Sequence, residues 1–582
     1  MSIIINRVRI KNFRSLKSIE TTLGNVTLLL GINNSGKTSF LRALTVALTS
    51  DRKYISQDDL FIDGAGNSPV DKQVIIDVEM IPVGSETFID EWAQVFGEDI
   101  QIGAANNEFF AYRTIVDFSA SQSEALIRRY VITNWQSDSA DENQEVRANI
   151  TKVPLFFIDA QRDLQDDIKQ AQSYFGRLAS KIEYDDSQKQ NLEESLSKLN
   201  EQSVAQSTVL SHLKDSLEEL NKTVQTSGSG VEITPFPKKL RDLHKGLNVN
   251  FQDGGSESFS LEYHGMGTRS WASLLGYKAF VKWMKQKADE DSDMLHPLLA
   301  LEEPEAHLHP NAQRQVYTQL KGITGQKIIS THSPYIAPLA GLEELRLFYK
   351  DGDSTNISDL KALVNSFTPK EKQSLETQII RARGELLFAR LVVLFEGQTE
   401  DGSLPFFAKK HWNLEAFEKG VSLIFVSGGD YKLYIKLLEA LMIPWVIFSD
   451  FDNPEIQSKV NIVGTELGIP DINADDRFVL LNDSIEEYLV AEGYRENIEQ
   501  AIFEITEPIY QNDQHRLAKE ADRLAEREEL KNMTDPELIA RAGNWKAKIA
   551  PIWAESIVNH ADPNLQIPVK IKTLFTLIDQ KL

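Results

Sequence analysis

Two groups of residues in this chain have the types and the spacing needed for nucleotide and metal chemistry. The first is the loop of residues 31–37 (Gly-Ile-Asn-Asn-Ser-Gly-Lys), which follows an apolar run. In a strand–loop–helix turn of this kind, backbone amides point at phosphates, the lysine reaches the β- and γ-phosphates, and the next hydroxyl ligates Mg²⁺. The residues predicted to bind the nucleotide are Asn34, Gly36, Lys37, Thr38 and Ser39.

Three later segments extend this nucleotide site. An apolar run ends in Glu302 and Glu303, which suits Mg²⁺ coordination through water by the first and water activation by the second. His332 follows another apolar run and would sense the γ-phosphate, although a strand-end cap is the simpler reading. Gly265 and Gly267 open a helix and would present amides to a phosphate, in the same chain or from a second subunit; an ordinary loop is the alternative. Together the segments predict ATP or GTP binding.

The second group consists of carboxylates. Glu396 follows the apolar run 391–395, and Glu400 lies four residues later; a second apolar run, 445–449, leads to Asp450 and Asp452. If both aspartates lie on one strand, their side chains point to the same side. Carboxylates at the carboxyl ends of neighbouring parallel strands converge at one crevice. Hard oxygen ligands suit Mg²⁺ or Mn²⁺. Two such ions about 4 Å apart can activate a water and stabilise the leaving oxygen when a phosphodiester is hydrolysed.

The elements that must position these residues follow from hydrophobic periodicity. Residues 3–10 alternate as in an edge strand, and residues 163–224 form a helical arm with an apolar seam, either a coiled coil or helices packed on their own domain. Other strands are predicted at residues 26–30, 72–80, 153–159, 298–302, 326–330, 391–395 and 445–449, and helices at 38–48, 373–388 and 519–531. The predicted domains are 1–162 and 231–370 (two parts of an ATPase), 163–230 (a helical insertion for dimerisation) and 371–582 (a nuclease domain with C-terminal helices).

Composition narrows the class of protein. A length of 582 residues requires two to four domains, and a net charge of -24 argues against broad adhesion to DNA without excluding a metal-dependent nuclease. The chain contains no cysteine, so disulfides and thiolate-bound zinc are excluded. We expect a cytoplasmic protein without membrane attachment, because neither a signal-peptide core nor a spanning apolar run occurs.

The order of the nucleotide motifs resembles the ABC-type ATPases of DNA repair and chromosome maintenance. The resemblance rests on the Walker A loop, the glycines near 265, the Glu-Glu-Pro-Glu run 302–305, the Ser-Thr-His-Ser-Pro run 330–334, and the opening Lys-Asn-Phe-Arg-Ser run 11–15. It implies an α/β ATPase domain working as a dimer, in which two heads enclose the nucleotides. The signature loop is not Leu-Ser-Gly-Gly-Gln, which predicts slow or regulatory turnover.

The carboxylate pattern Glu-Gly-x-x-Glu followed by Asp-x-Asp resembles the Toprim domain. An ABC-type ATPase followed by a Rossmann-like Toprim domain is the layout of the OLD (overcoming lysogenization defect) nucleases, a family that includes the Gabija nuclease subunit and retron-associated effectors. The resemblance implies that Glu486 is a further metal ligand and that Lys546 or Lys548 is a catalytic lysine; Ser484 stands where the family often has aspartate.

The leading hypothesis is a DNA endonuclease that uses Mg²⁺ or Mn²⁺ and is gated by ATP in a homodimer or higher homo-oligomer, acting in antiviral defence. A helicase, or a reverse transcriptase with its RNA, is the kind of partner the resemblance implies. The alternative is a nucleotide-switched DNA-binding or assembly protein with a degenerate Toprim site.

Overall fold

The structure, a computed structural model, describes residues 2–49, 55–69, 71–119, 125–137, 140–141, 143–160, 185–211, 235, 250–251, 259–260, 263, 265–509 and 511–582. Contacts along the chain divide it into two units. The first unit comprises Met1–Leu29, Gly36–Ile336 and Asp351–Thr355, and the second comprises Leu30–Ser35, Ala337–Lys350 and Asn356–Leu582.

An antiparallel sheet begins the first unit. Its strands are β1 (Ile3–Phe13), β2 (Leu16–Thr22), β4 (Gln73–Pro82), β5 (Ile100–Ile102), β6 (Glu108–Asp117) and β7 (Leu126–Val131), in the order β2-β1-β4-β6-β5 with β7 also paired to β6. The prediction that residues 3–10 form an edge strand is wrong, because β1 pairs with β2 on one side and β4 on the other. The polar residues of β1 face partners on neighbouring strands: Arg9 pairs with Glu20 and Asp77. Alternation therefore marks the two faces of this strand and not a free edge.

A parallel sheet carries the nucleotide motifs of the first unit. It contains β3 (Val26–Leu30), β8 (Leu155–Ile158), β11 (Leu298–Glu302) and β12 (Gln326–Ser330), paired in the order β3-β12-β11-β8. These strands are almost entirely buried, as expected where both faces of a sheet are covered; β3, β8 and β11 are mainly apolar, whereas β12 also buries Gln326, Lys327 and Ser330. Because all four run in one direction, the residues that follow β3, β11 and β12 lie at one edge.

The remaining elements of the first part of the chain are mostly helical. The helices are α1 (Lys37–Leu48), α2 (Asp90–Phe96), α3 (Asp186–Gln206), α4 (Met266–Glu290) and α5 (Pro310–Lys321), and the short strands are β9 (Asn250–Phe251) and β10 (Phe259–Ser260). Strands β13 (Leu345–Asp351) and β14 (Ser354–Asp359) follow along the chain.

A second parallel sheet lies in the second unit. Its strands are β15 (Leu391–Phe395), β16 (Val421–Phe425), β17 (Trp445–Asp450) and β18 (Phe478–Leu481), in the order β16-β15-β17-β18. The helices of this part are α6 (Lys361–Ser366), α7 (Pro369–Ser374), α8 (Gln398–Trp412), α9 (Tyr431–Ala440), α10 (Pro454–Glu466), α11 (Ile485–Ala491), α12 (Arg495–Ile505), α13 (Asp513–Asn532), α14 (Asp535–Gly543), α15 (Lys546–Val558) and α16 (Val569–Lys581). Buried side chains of β15 and β17 pack with Trp553 and Phe575 in one apolar core.

The structure contradicts one helix prediction and confirms another. The stretch 373–388 is not one helix: α7 ends at Ser374, a π-helical turn occupies Leu375–Ile380, and a 3-10 turn occupies Gly384–Phe388. Glycine at position 384 is a poor residue for continuing a helix. The charged segment 519–531 does lie on a helix exposed to solvent, since Leu530 is the only buried residue of α13.

The helical arm is described in part. Helix α3 begins at the cap Asp185, which accepts a hydrogen bond of 2.8 Å from the Gln188 amide, and Leu192 and Leu199 are exposed on it. The rest of the predicted seam, at Leu213, Leu217, Leu220 and Val224, lies outside the described residues. Its role in dimerisation stays a prediction.

Among the helices of the described ranges, none has both the length and the apolar composition needed to cross a membrane.

Candidate nucleotide and metal sites

Backbone geometry explains the glycines of the phosphate loop. Gly31 follows β3 with φ 138°, and a Cβ atom there would lie 2.3 Å from the carbonyl oxygen of Phe348. Gly36 has φ 103° at the point where α1 begins, and Asn34 between them also has a positive φ of 62°. These are conformations in which side chains with a Cβ are disfavoured. The loop therefore turns tightly from β3 into α1, and Ser39 lies half-buried in the first turn of that helix.

Lys37 and Thr38 meet the end of β11. The side-chain hydroxyl of Thr38 donates a hydrogen bond to the carboxylate of Glu302. Lys37 is buried, and burial lowers its pKa to about 8, while Glu303, Glu302 and Glu305 act in the opposite direction. The hydroxyl and the carboxylate are hard oxygen ligands that fit a nucleotide-bound Mg²⁺, and the ammonium faces the same place as a phosphate partner.

Glu303 and His332 lie close to each other beside Lys37. The His332 Nε2 atom is 3.5 Å from Glu303 Oε1, and the Glu303 amide donates a hydrogen bond of 3.0 Å to the carbonyl of Ser330. Burial, followed by the charge of Lys37, lowers the pKa of His332 to about 4. The imidazole is therefore neutral near pH 7 and can donate a hydrogen bond to a phosphate without adding charge.

Glu305 holds this arrangement, a role that the sequence interpretation missed. Its Oε1 atom accepts hydrogen bonds from the Thr331 hydroxyl at 2.5 Å and from the His332 amide at 2.8 Å. Burial raises the pKa of Glu305, while the bond from Thr331 lowers it. The only sequence signal was its place in the Glu-Glu-Pro-Glu run.

Gly265 and Gly267 lie at the start of α4. Gly265 precedes the first turn and is exposed, and a Cβ atom on Gly267 would lie 2.7 Å from the carbonyl oxygen of His307. Close packing thus explains Gly267. The close contacts described for Gly267 are with His307 and Leu308, and none joins it to Lys37.

The carboxylates of the second unit lie along the carboxyl edge of its parallel sheet. Glu396 directly follows β15, Glu400 lies in the first turn of α8, and Asp450 ends β17. Glu486 lies in the first turn of α11, after β18. With Asp452, these residues are called the carboxylate cluster below.

The position of Asp452 differs from the prediction. Strand β17 ends at Asp450, so the two aspartates do not share a strand, and Asp452 is exposed. The Phe451 amide donates to the carbonyl of Leu481 at 2.8 Å, and Asn453 then caps α10 by accepting from the Ile456 amide at 3.0 Å. The chain leaves the sheet because this cap already starts the next helix.

Electrostatics within the cluster favour a bound cation. Burial, followed by the negative charge of Asp450, raises the pKa of Glu400 well above its ordinary value, and Glu400 is 1% exposed. Burial, followed by Glu486 and Asp452, raises the pKa of Asp450 to about 7. Burial also raises the pKa of Glu396. A divalent cation would relieve this repulsion between like charges.

Unpartnered oxygen atoms test whether the cluster fits a metal. Glu400 Oε1 and Asp450 Oδ1 are buried and have no hydrogen-bond partner among the described residues. Within the same residues, no three acidic or histidine side chains are already arranged as a closed set of ligands around one point. Buried oxygens without a donor nevertheless fit Mg²⁺ or Mn²⁺, because these ions accept carboxylate ligands and complete their shell with water.

Two lysines were candidates for a catalytic role. Lys546 begins α15, and its Nζ atom lies 4.0 Å from Glu486 Oε2. The charge of Lys546 also lowers the pKa of Asp450 and of Glu396. Lys548 is exposed, and no contact with the cluster is described for it. The geometry therefore favours Lys546.

Ser484 serves as a helix cap. Its side chain accepts a hydrogen bond of 3.3 Å from the Glu487 amide, and its hydroxyl lies 3.1 Å from the Glu487 carboxylate. Starting α11 in this way places Glu486 at the edge of the sheet.

Supporting residues of the cluster were not found from the sequence. The Thr399 hydroxyl donates a hydrogen bond of 2.9 Å to Glu486 Oε1, and the buried Tyr431 hydroxyl donates one of 3.1 Å to Ser449. Thr399 lies inside the Glu-Gly-x-x-Glu pattern, which was the one available signal.

The chain is similar to known proteins in both its nucleotide-binding part and its carboxylate-bearing part. A family model described as AAA ATPase domain matches residues 3–155 and 154–337, and one described as Overcoming lysogenization defect protein-like, TOPRIM domain matches residues 387–452. The chain belongs to the AAA ATPase domain family and carries an OLD-like Toprim domain. Of the carboxylate cluster, the four residues from Glu396 to Asp452 lie within the Toprim match and Glu486 lies beyond it.

Three curated relatives are similar to this chain over about three quarters of their length or more. The OLD nuclease of Thermus scotoductus is 26% identical over 481 residues, covering 77% of this chain and 82% of the relative. The Old nuclease of Escherichia phage P2 is 26% identical over 485 residues, covering 78% of each chain. Endonuclease GajA of Bacillus cereus strain VD045 is 22% identical over 478 residues, covering 77% of this chain and 75% of the relative.

Proposed function

We propose that this chain is an OLD-type, ATP-binding endonuclease that hydrolyses DNA phosphodiesters with two divalent metal ions. The single observation that carries the proposal is the pair of buried, unpartnered oxygens, Glu400 Oε1 and Asp450 Oδ1, in a row of carboxylates at one sheet edge. The nuclease names of its relatives supply the substrate class.

The residues divide the chemistry between them. The carboxylate cluster would hold Mg²⁺, or Mn²⁺ in its place, and these ions supply an activated water and stabilise the leaving oxygen. Lys546 would offset the charge that develops on the phosphate, because its ammonium is held beside Glu486. Burial of Glu400 keeps bulk water from competing for its oxygens.

We propose that the ATPase part controls when DNA is cut. Lys37, Thr38 and Glu302 are arranged to hold the nucleotide and its Mg²⁺, and Glu303 with the neutral His332 is arranged to act on its γ-phosphate. In this proposal two copies of the chain form a dimer, and the amides near Gly265 serve a phosphate held by the partner copy.

The biological role follows as part of the same proposal. The DNA that is cut would be foreign DNA in the cytoplasm, and a helicase or a reverse transcriptase with its RNA would signal its presence. Infection of cells that carry the wild-type chain or an Asp450→Ala variant tests this role, since only the wild type should reduce plaque formation.

Nicking of supercoiled plasmid tests the enzymatic function. The full chain is incubated with Mg²⁺, Mn²⁺ or EDTA, each with and without ATP, beside Asp450→Ala. Cutting that requires the metal and is lost in the variant is expected, and the ATP lanes give the sign of regulation. Equal cutting by both proteins would overturn the assigned active site. DNA binding without any cutting would support the nucleotide-switched binding protein instead.

A further inference from the structure

A second lysine lies beside the carboxylate cluster. Lys459 is on α10, and its Nζ atom donates hydrogen bonds to the carbonyl oxygen of Gly428 at 2.5 Å and to the carboxylate of Glu455 at 2.6 Å. The Lys459 side chain remains 28% exposed. An ammonium has three donors, so one of them is left after these two described bonds.

The turn that Lys459 contacts lies against Glu396. Gly428 and Gly429 have positive φ angles of 70° and 65°, and they follow β16. A Cβ atom on Gly429 would lie 3.5 Å from Glu396 Oε2. Lys459 and Glu396 therefore both lie against this turn, and among the charged groups near Glu396 it is Lys459 that lowers the pKa of Glu396 most.

Lys459 and Lys546 lie at opposite ends of the sheet edge. In the order β16-β15-β17-β18, Lys459 contacts the turn after β16, and Lys546 approaches Glu486 after β18. Neighbouring strands are about 4.8 Å apart, so the two lysines bracket about 14 Å of edge, with the carboxylates between them.

We propose that Lys459 binds a backbone phosphate of the cut strand on the side of the carboxylate cluster opposite Lys546. The strand then runs along the carboxyl edge of the sheet from β16 towards β18. This inference rests on the proposed nuclease function and adds the path of its substrate. Lys459 is a positioning residue, because it contacts the backbone and not the scissile bond.

The present partner of Lys459 does not compete strongly with a phosphate. Glu455 is 76% exposed, and ion pairs between exposed side chains one helical turn apart contribute little free energy. The bond to the Gly428 carbonyl keeps the ammonium at the edge when Glu455 is displaced. Contacts of this kind fix the register of DNA without reading its sequence.

The salt dependence of DNA binding tests the inference. Binding of a fluorescent duplex to the full chain is measured by anisotropy in Ca²⁺, over a range of KCl concentrations, for wild type, Lys459→Gln and Lys459→Arg. Lys432→Gln is the matched control, because Lys432 is a lysine of the same unit with similar exposure that pairs with Glu466.

We expect Lys459→Gln to weaken binding about tenfold and to reduce the slope of log K against log salt by about one. Lys459→Arg should retain the slope, and Lys432→Gln should match the wild type. An unchanged slope for Lys459→Gln would overturn the inference, even if plasmid nicking establishes the nuclease. A reduced slope in a chain that never nicks DNA would support the phosphate contact while the nuclease proposal fails.

Discussion

The ammonium of Lys546, the first residue of α15, lies 4.0 Å from the carboxylate of Glu486 in the first turn of α11. The sequence left two lysines open for this position, and Lys548, only two residues away, points to solvent. The contact assigns the positive charge of the site to one residue of the pair.

Replacing the two lysines separately should change the rate of plasmid nicking to different extents. Lys546→Ala is expected to lower the rate of plasmid nicking by about 100-fold or more, because it removes the charge that stabilises the reacting phosphate. Lys548→Ala serves as the matched control and should retain nearly full activity. Equal losses in initial-rate assays at saturating Mg²⁺ would contradict the assignment.

Thr399 should act on metal affinity through Glu486. Thr399→Val removes the 2.9 Å hydrogen bond to Glu486 while keeping the side-chain volume. We expect the Mg²⁺ concentration for half-maximal nicking to rise by about 10-fold or more, as for other residues that orient metal ligands. Thr573→Val, on the exposed face of α16, is the control. An unaltered Mg²⁺ titration for Thr399→Val would show that Glu486 needs no such support.

Lys37→Ala should abolish nucleotide binding while the chain stays folded. The lysine is the buried positive group that faces Glu302 and Glu303, and without it those carboxylates repel the phosphates. Isothermal titration with ATP and Mg²⁺ measures the loss, and circular dichroism checks the fold. Lys17→Ala, at an exposed position of β2, should bind ATP like the wild type. Measurable ATP affinity in Lys37→Ala would place the nucleotide elsewhere.

We expect the first unit to lose stability in mild acid because of His296. Burial lowers the pKa of His296 to about 4 in the folded chain, against an ordinary value of about 6.5. The unfolded chain therefore binds a proton more readily, so the stability contributed by this group is present above pH 6.5 and falls as the pH drops towards 4. By pH 5 the loss is about 2 kcal/mol.

Thermal unfolding at pH 7.5 and pH 5 measures this effect. In His296→Gln the fall in midpoint between the two pH values should be smaller than in the wild type. An identical fall in both proteins would mean that His296 does not contribute to acid sensitivity, and His332, whose pKa is also about 4, would be the next group to replace.

Much of the scaffold could be predicted because it depends on local pattern. Strands β11 and β15 match residues 298–302 and 391–395, since each is a short, mainly apolar run that is buried. Within each sheet the parallel strands then place the following residues at one edge: Glu302 and His332 in the first unit, and Glu396 and Asp450 in the second. The family follows from the order of these motifs.

The rest could not be read from the sequence because it depends on contacts between distant segments. Arg9 reads as an alternating polar residue, and only its pairing with Asp77 and Glu20 shows that β1 is an interior strand. Lys459 reads as a helix-surface lysine until the turn at Gly428 is placed beside it. Asp452 was misplaced because the cap at Asn453, three residues after Asp450, ends the extended backbone early.

We propose that buried carboxylates at the edge of the Toprim sheet hold the metal ions that the chain uses to hydrolyse DNA. Glu400 and Asp401 are neighbours on α8, one buried with an unpartnered oxygen and the other exposed. The most direct test is the rate of plasmid nicking in Mg²⁺ and Mn²⁺ for Glu400→Ala beside Asp401→Ala. The structure predicts that Glu400→Ala loses activity with both metals while Asp401→Ala cuts like the wild type. Full activity in Glu400→Ala would contradict the claim.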